Sequence, residues 1–155
     1  MLRTLLGALI ASVLALSPQL QARDFGGHAH YVGGTVADLP SKSEGHIQTT
    51  DADTMLFVTH RGTMRVPYSE INLIEYGQRV SRRYAEAILI SPLMMLSKKR
   101  THFLTVGFSD AGGRQQAMIF EVSKSDIRTV LVTLEARTGR KVEFQDEEAR
   151  KAGKG

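Results

Sequence analysis

Turn-forming residues recur every eight to twelve positions after residue 30, and the segments between them are rich in β-branched and aromatic residues. This rhythm is typical of all-β domains. It predicts strands at 31–39, 45–50, 55–59, 64–68 and 69–77. The adjacent Gly33 and Gly34 predict a bulge in the first strand. Pro67 has no N–H to donate, so its strand should end there or lie at a sheet edge.

The next recognisable elements are a hairpin and a helix. Segments 101–109 and 114–122 flank a glycine-containing loop at 110–113, which predicts a β-hairpin. A helix should follow, because an apolar stripe recurs there at helical spacing in Ile127, Val130, Leu131 and Leu134.

Signals at both ends delimit this helix. Ser123 and Asp126 predict a capping box at its start. Gly139 predicts a left-handed cap at its end. We expect a short strand at 142–144 and then a charged, disordered tail at 145–155, since that tail lacks large apolar residues.

The motifs in their order resemble a known family. Gly45-His46-Ile47 is followed by Leu56-Phe57, and then by Val66-Pro67-Tyr68 with Ile71. This order resembles the opening strands of a pleckstrin-homology-like domain of the GRAM or bacterial type. Segment 101–138 resembles the closing hairpin and helix of that family, so the resemblance covers about residues 30–139.

The resemblance implies a mainly β fold with one C-terminal α-helix, built as a bent, partly open antiparallel β-barrel capped by the helix. It also implies binding of lipids, peptides or proteins rather than catalysis. It transfers no site residue to this chain, because the basic motif of the lipid-binding members has no matching positions here.

The first 22 residues predict a secretory signal peptide. Arg3 precedes an apolar stretch from Leu5 to Leu16, and Pro18 and the small residue Ala22 follow. We therefore expect an exported protein, periplasmic or extracellular, and the alternative is that the segment stays uncleaved as an N-terminal anchor. The predicted organisation is a signal peptide at 1–22, a flexible lead-in at 23–29, one domain at 30–144 with an apolar insertion at 79–100, and the tail at 145–155.

The insertion at 79–100 breaks the β rhythm. Six cations bracket a stretch, 85–96, that is apolar except for Glu86 and Ser91. The stretch could complete the protein's own core, contact a partner or a second copy, or lie on an anionic membrane surface. The candidate interaction surface consists of Arg79, Arg82, Arg83, Ile88, Leu89, Leu93, Met94, Met95, Lys98, Lys99 and Arg100.

The chain contains few residues in patterns suited to catalysis. His28 and His30 lie two residues apart and would share one strand face, so they could share a metal with Asp24 as third ligand. His60 and His102 are expected at the surface, and Glu75 on the solvent side of its strand. The chain contains no cysteine, no HExxH and no GxSxG, so we predict no catalytic residue, no metal and no cofactor.

Charge and composition narrow the function further. The formal net charge is only +4, aromatic residues make up 6% of the chain and Trp is absent, so nucleic acid is not expected as a partner. The favoured hypothesis is a non-catalytic binding or scaffold domain that contacts an envelope protein partner or self-associates. A peripheral domain on anionic lipid and a metal-dependent enzyme using His28 and His30 are the alternatives.

Overall fold

A computed structural model describes residues 26–36, 38–80 and 101–154. One eight-stranded sheet dominates it, with strand order β4-β3-β2-β1-β7-β6-β5-β8. The strands are β1 Gly26–Gly34, β2 Ser43–Gln48, β3 Thr54–Thr59, β4 Gly62–Pro67, β5 Ile71–Gly77, β6 His102–Ser109, β7 Gln115–Val122 and β8 Glu143–Phe144. A 3-10 turn, Tyr68–Glu70, joins β4 to β5.

The sheet is open and mixed. All pairs are antiparallel except β5 with β8, which is parallel. The helix α1, Ile127–Thr138, contacts both β1 and β5, which shows that the sheet curves around one core. The predicted fold class, a partly open β-sheet capped by a helix, is confirmed.

The core fills the concave side of this sheet. Phe120 lies at its centre, with its ring 4.9 Å from that of Phe57 and 5.8 Å from that of Tyr31. The predicted helical stripe, Ile127, Val130, Leu131 and Leu134, is buried against it. These apolar contacts are the main source of stability, since the chain has no disulfide.

The first strand begins earlier than the sequence predicts. Gly26 to His30 pair with β2, so the flexible lead-in expected at 23–29 is wrong for residues 26–29. Ala29 is buried while His28 and His30 are exposed, which is the alternation expected of a strand. The glycines on either side of these residues make the alternation hard to see in the sequence. The predicted bulge is confirmed, because the register against β7 shifts between Tyr31 and Gly33.

The ends of α1 differ in how well they were predicted. Gly139 adopts φ +70° and caps the helix, as expected. The predicted capping box does not form: Asp126 makes no side-chain cap, and its Oδ2 instead accepts the His28 N–H at 3.0 Å. A contact between β1 and α1 therefore replaces the local cap.

The tail expected to be disordered forms a second helix, α2, Glu147–Lys154. Ala149 and Gly153 are buried, and a Cβ on Gly153 would lie 2.7 Å from the Phe144 ring. Small residues thus let this charged helix approach the aromatic side chains. Composition alone did not predict this packing. Neither helix in the described part of the chain is long and apolar enough to span a membrane.

Candidate binding groove along the edge strand

Strand β4 forms one edge of the sheet. Within the described ranges it pairs with β3 alone, whereas the other edge strand, β8, has only two residues and packs against α2. Pro67 ends β4, which confirms the position predicted for this proline. An edge strand carries main-chain groups that can pair with another extended chain.

The pairing register shows which of these groups face outward. Thr59 and Gly62 flank a two-residue turn, so they form a hydrogen-bonded pair. Hydrogen-bonded and non-bonded pairs alternate along an antiparallel ladder. Thr63 and Arg65 therefore direct their N–H and C=O groups away from β3, towards the free edge.

A groove of about 830 Å³ lies beside this edge. Its lining comes from β4 and the 3-10 turn, from the residues after β1, and from the β6–β7 hairpin. A smaller hollow of about 230 Å³ adjoins it near the start of β4, and Asp38 and Met64 line both. Together the two hollows follow β4 along its length, which for six residues is about 20 Å.

The hairpin wall of the groove is held by a hydrogen-bond network. Asp110 accepts the main-chain N–H groups of Gly112 and Arg114 and pairs with the Arg114 guanidinium at 2.8 Å. It also accepts Gln116 Nε2 at 3.0 Å, and Gln116 in turn accepts the Thr35 hydroxyl. The network joins the hairpin tip to the end of β1, so this wall keeps its shape.

These bonds also set the charge of the wall. The Arg114 N–H, together with the Gln116 and Arg114 side chains and the Gly112 N–H, lowers the pKa of Asp110 to about 2. Asp110 is therefore ionised at neutral pH.

The groove as a whole carries charges of both signs. Arg65 and Arg114 are positive, and Asp38, Glu70 and Asp110 are negative. Val36, Met64 and Phe108 add apolar surface.

The structure places one member of the predicted interaction surface. Arg79 follows β5, its carbonyl accepts Gln145 Nε2 at 3.0 Å, and it lines a hollow with Glu75 and Asp146. That hollow is at the Gly77 end of β5, opposite the end that faces the groove. The other ten members lie outside the described residues: Arg82, Arg83, Ile88, Leu89, Leu93, Met94, Met95, Lys98, Lys99 and Arg100.

Two polar residues differ from expectation. His102, predicted at the surface, is 9% exposed, and its Nδ1 lies 2.5 Å from the Tyr76 hydroxyl. Glu75, predicted on the solvent side of its strand, is 8% exposed and accepts Gln145 Nε2. Glu75 is covered by the C-terminal segment, which pairs with β5, while His102 stacks on the Tyr76 ring. His60 is exposed in the β3–β4 turn, as predicted.

The groove itself was missed at the sequence level. Pro67 pointed to an edge, but the opposite wall comes from a hairpin more than 40 residues later in the chain. Compared with known proteins, the chain matches no protein-family model and no curated protein.

Proposed function

We propose that this protein is an exported, non-catalytic binding domain, and that it takes up an extended segment of a protein partner beside β4. The observation that supports this most directly is the edge of β4, unpaired within the described ranges, which lies along a groove with apolar and polar lining. Extended peptides commonly bind by adding a strand to such an edge.

The outward groups of Thr63 and Arg65 supply the hydrogen bonds for this added strand. Main-chain bonds give affinity without fixing the sequence of the ligand. Specificity would then come from alternate ligand side chains that enter the groove against Val36, Met64 and Phe108. The mixed charges at the rim favour binding that depends only weakly on salt.

A single extended segment fits this site better than a second copy of the domain. The hairpin and the residues after β1 rise beside β4 and form the far wall of the groove. A second folded copy would bring its own walls to the same place. A peptide segment is narrow enough to enter between them.

Export and the pleckstrin-homology-like resemblance are part of the same proposal. Export rests on the charge, apolar stretch and small residues of 1–22. The resemblance is supported by the curved sheet of seven consecutive antiparallel strands capped by α1. The segment 79–100 stays a separate sequence-based prediction of a contact surface.

Peptide selection with matched variants tests the groove. Random dodecapeptides displayed on phage are selected against the purified protein, and the best peptide is titrated calorimetrically. We expect Arg65→Pro, which removes the outward N–H, to weaken binding by about tenfold or more. Arg65→Ala keeps that N–H and should change the Kd by less than about threefold. Amide NMR shifts should concentrate in 62–66 and in the groove walls near Val36 and Phe108.

Controls separate the outcomes. Melting temperatures establish that Arg65→Pro is folded, and Thr63→Pro replaces it if it is not. Failure to enrich any peptide, equal affinity for Arg65→Pro, or shifts confined to residues away from 62–66 and the groove walls would each overturn the proposal. Salt-sensitive binding to phosphatidylglycerol vesicles without peptide enrichment would favour the lipid alternative instead.

A further inference from the structure

Two histidines face each other on the convex side of the sheet. His28 on β1 and His46 on β2 are directly paired across the ladder, and their ring centroids lie 3.9 Å apart. Both side chains are exposed. The close approach comes from the register itself, because Cβ atoms of directly opposed residues lie about 4.5–5.5 Å apart.

The next pair along the same face adds ligands of the same kind. His30 lies opposite Glu44, with Nδ1 3.6 Å from Oε1, and their side chains are 54% and 79% exposed. Successive same-face positions on a strand are two residues apart. Four adjacent positions therefore carry three imidazoles and one carboxylate.

We propose that His28 and His46 bind a divalent transition-metal ion, with His30 as the third ligand. Imidazole nitrogens bind Zn²⁺ and Cu²⁺ at about 2.0–2.1 Å. Opposed rings on one ladder can direct one nitrogen each at a common point. The sequence predicts a site of His28 with His30 and Asp24, whereas the structure places the His28 ring against that of His46 on the neighbouring strand.

The third ligand reaches the ion by a side-chain rotation. In the described part of the chain, no three histidine, aspartate or glutamate side chains already converge on one point. His30 is half exposed and, among the described residues, is paired with exposed Glu44, so its ring can turn towards the pair at little cost. Glu44 then offers a negative charge beside the bound ion.

The backbone under the site is fixed. Asp126 Oδ2 accepts the His28 N–H at 3.0 Å, and the Ser123 N–H donates to the His28 carbonyl at 3.1 Å. β1 is thereby attached to the start of α1 as well as to β2 and β7. A fixed backbone lowers the ordering cost of bringing the two rings together. The site is separate from the groove, because none of its four residues lines either hollow beside β4.

Titration calorimetry of the tag-free protein with Cu²⁺ and Zn²⁺ at pH 7.4 tests this proposal. We expect one site, with Cu²⁺ bound more tightly than Zn²⁺. His46→Gln should weaken binding at least about tenfold, since even outer-shell changes at metal sites cost that much. His60→Gln is the matched control, an exposed histidine in the β3–β4 turn, and should leave binding unchanged.

Two further readouts distinguish a specific site from loose adsorption. The EPR spectrum of the Cu²⁺ complex should show hyperfine structure from at least two nitrogens in the wild type and fewer in His46→Gln. Acidification should weaken binding, because protons compete for the imidazoles. Absence of binding, or equal affinity in wild type and His46→Gln, would overturn the proposal.

Discussion

The Tyr76 hydroxyl lies 2.5 Å from Nδ1 of His102, and the two rings stack at an interplanar angle of 14°. Burial, and then the nearby Lys124, lowers the pKa of His102 below its usual 6.5. The unfolded chain therefore binds a proton near pH 6.5 that the folded state does not bind until lower pH. The imidazole is neutral in the folded protein at neutral pH.

The free energy of unfolding should accordingly fall as the pH drops below about 6.5. Above that pH, His102 should add nothing to the pH dependence of stability. Urea denaturation between pH 5 and 8 measures the slope. His102→Gln cannot titrate and should have a flatter profile. An unchanged slope in this variant would contradict the assignment to His102.

Gly34 should not tolerate a side chain. An added Cβ would lie 2.2 Å from the Ala117 carbonyl oxygen and 2.5 Å from the Tyr31 hydroxyl. We expect Gly34→Ala to destabilise the protein by about 1–3 kcal/mol, because main chain must move. Gly112→Ala is the control, since its added Cβ comes no closer than 3.2 Å to another atom. Equal melting temperatures for the two variants would refute the predicted clash.

The helix α2 should contribute to stability although its sequence suggests disorder. Ala149 is fully buried, so Ala149→Gln should cost about 1–3 kcal/mol through an unsatisfied amide. Lys151→Gln, on the exposed side of the same helix, should have almost no effect. Chemical denaturation compares them, and a neutral Ala149→Gln would mean that the tail does not pack.

Asp110 should contribute stability that is lost in acid. Its pKa is about 2 in the folded protein, against an ordinary value of 3.8. The contribution is complete above about pH 3.8 and disappears as the pH falls towards 2, because the unfolded chain takes up the proton first. Asp110→Asn should melt lower than wild type at pH 7, and the difference should shrink by pH 2.5. A constant difference would argue against this linkage.

The insertion at 79–100 also makes a measurable prediction. If it is a contact surface, replacing Leu93 and Met94 with Ser should leave the melting temperature nearly unchanged and reduce binding to anionic vesicles or to partners in envelope extract. A fall of several degrees would instead place both side chains in the core. The position of Arg79, which lies within the described residues, is compatible with both outcomes.

The sequence predicts the elements whose signals are local. The β6–β7 hairpin, the apolar stripe of α1 and the Gly139 cap all depend on side chains within a few residues of one another, and each appears within one or two residues of its predicted position. The start of β1 was missed because glycines weaken the alternation around Ala29.

Tertiary contacts explain what could not be predicted. The Asp126 carboxylate binds a strand 98 residues away instead of capping its helix. The tail becomes helical because Ala149 packs into the core and Gly153 fits against Tyr76 and Phe144. The groove and the His28–His46 pair need the strand order, since each joins residues that are distant in the chain.

The two edges of the sheet differ in length, and this difference limits how the protein can self-associate. Across the described ranges, β4 offers six residues for pairing, whereas β8 offers two beside a packed helix. Edge-to-edge growth into a filament requires two competent edges on each molecule. Within those ranges each copy has one long edge, so pairing through β4 leaves none from which a filament could grow.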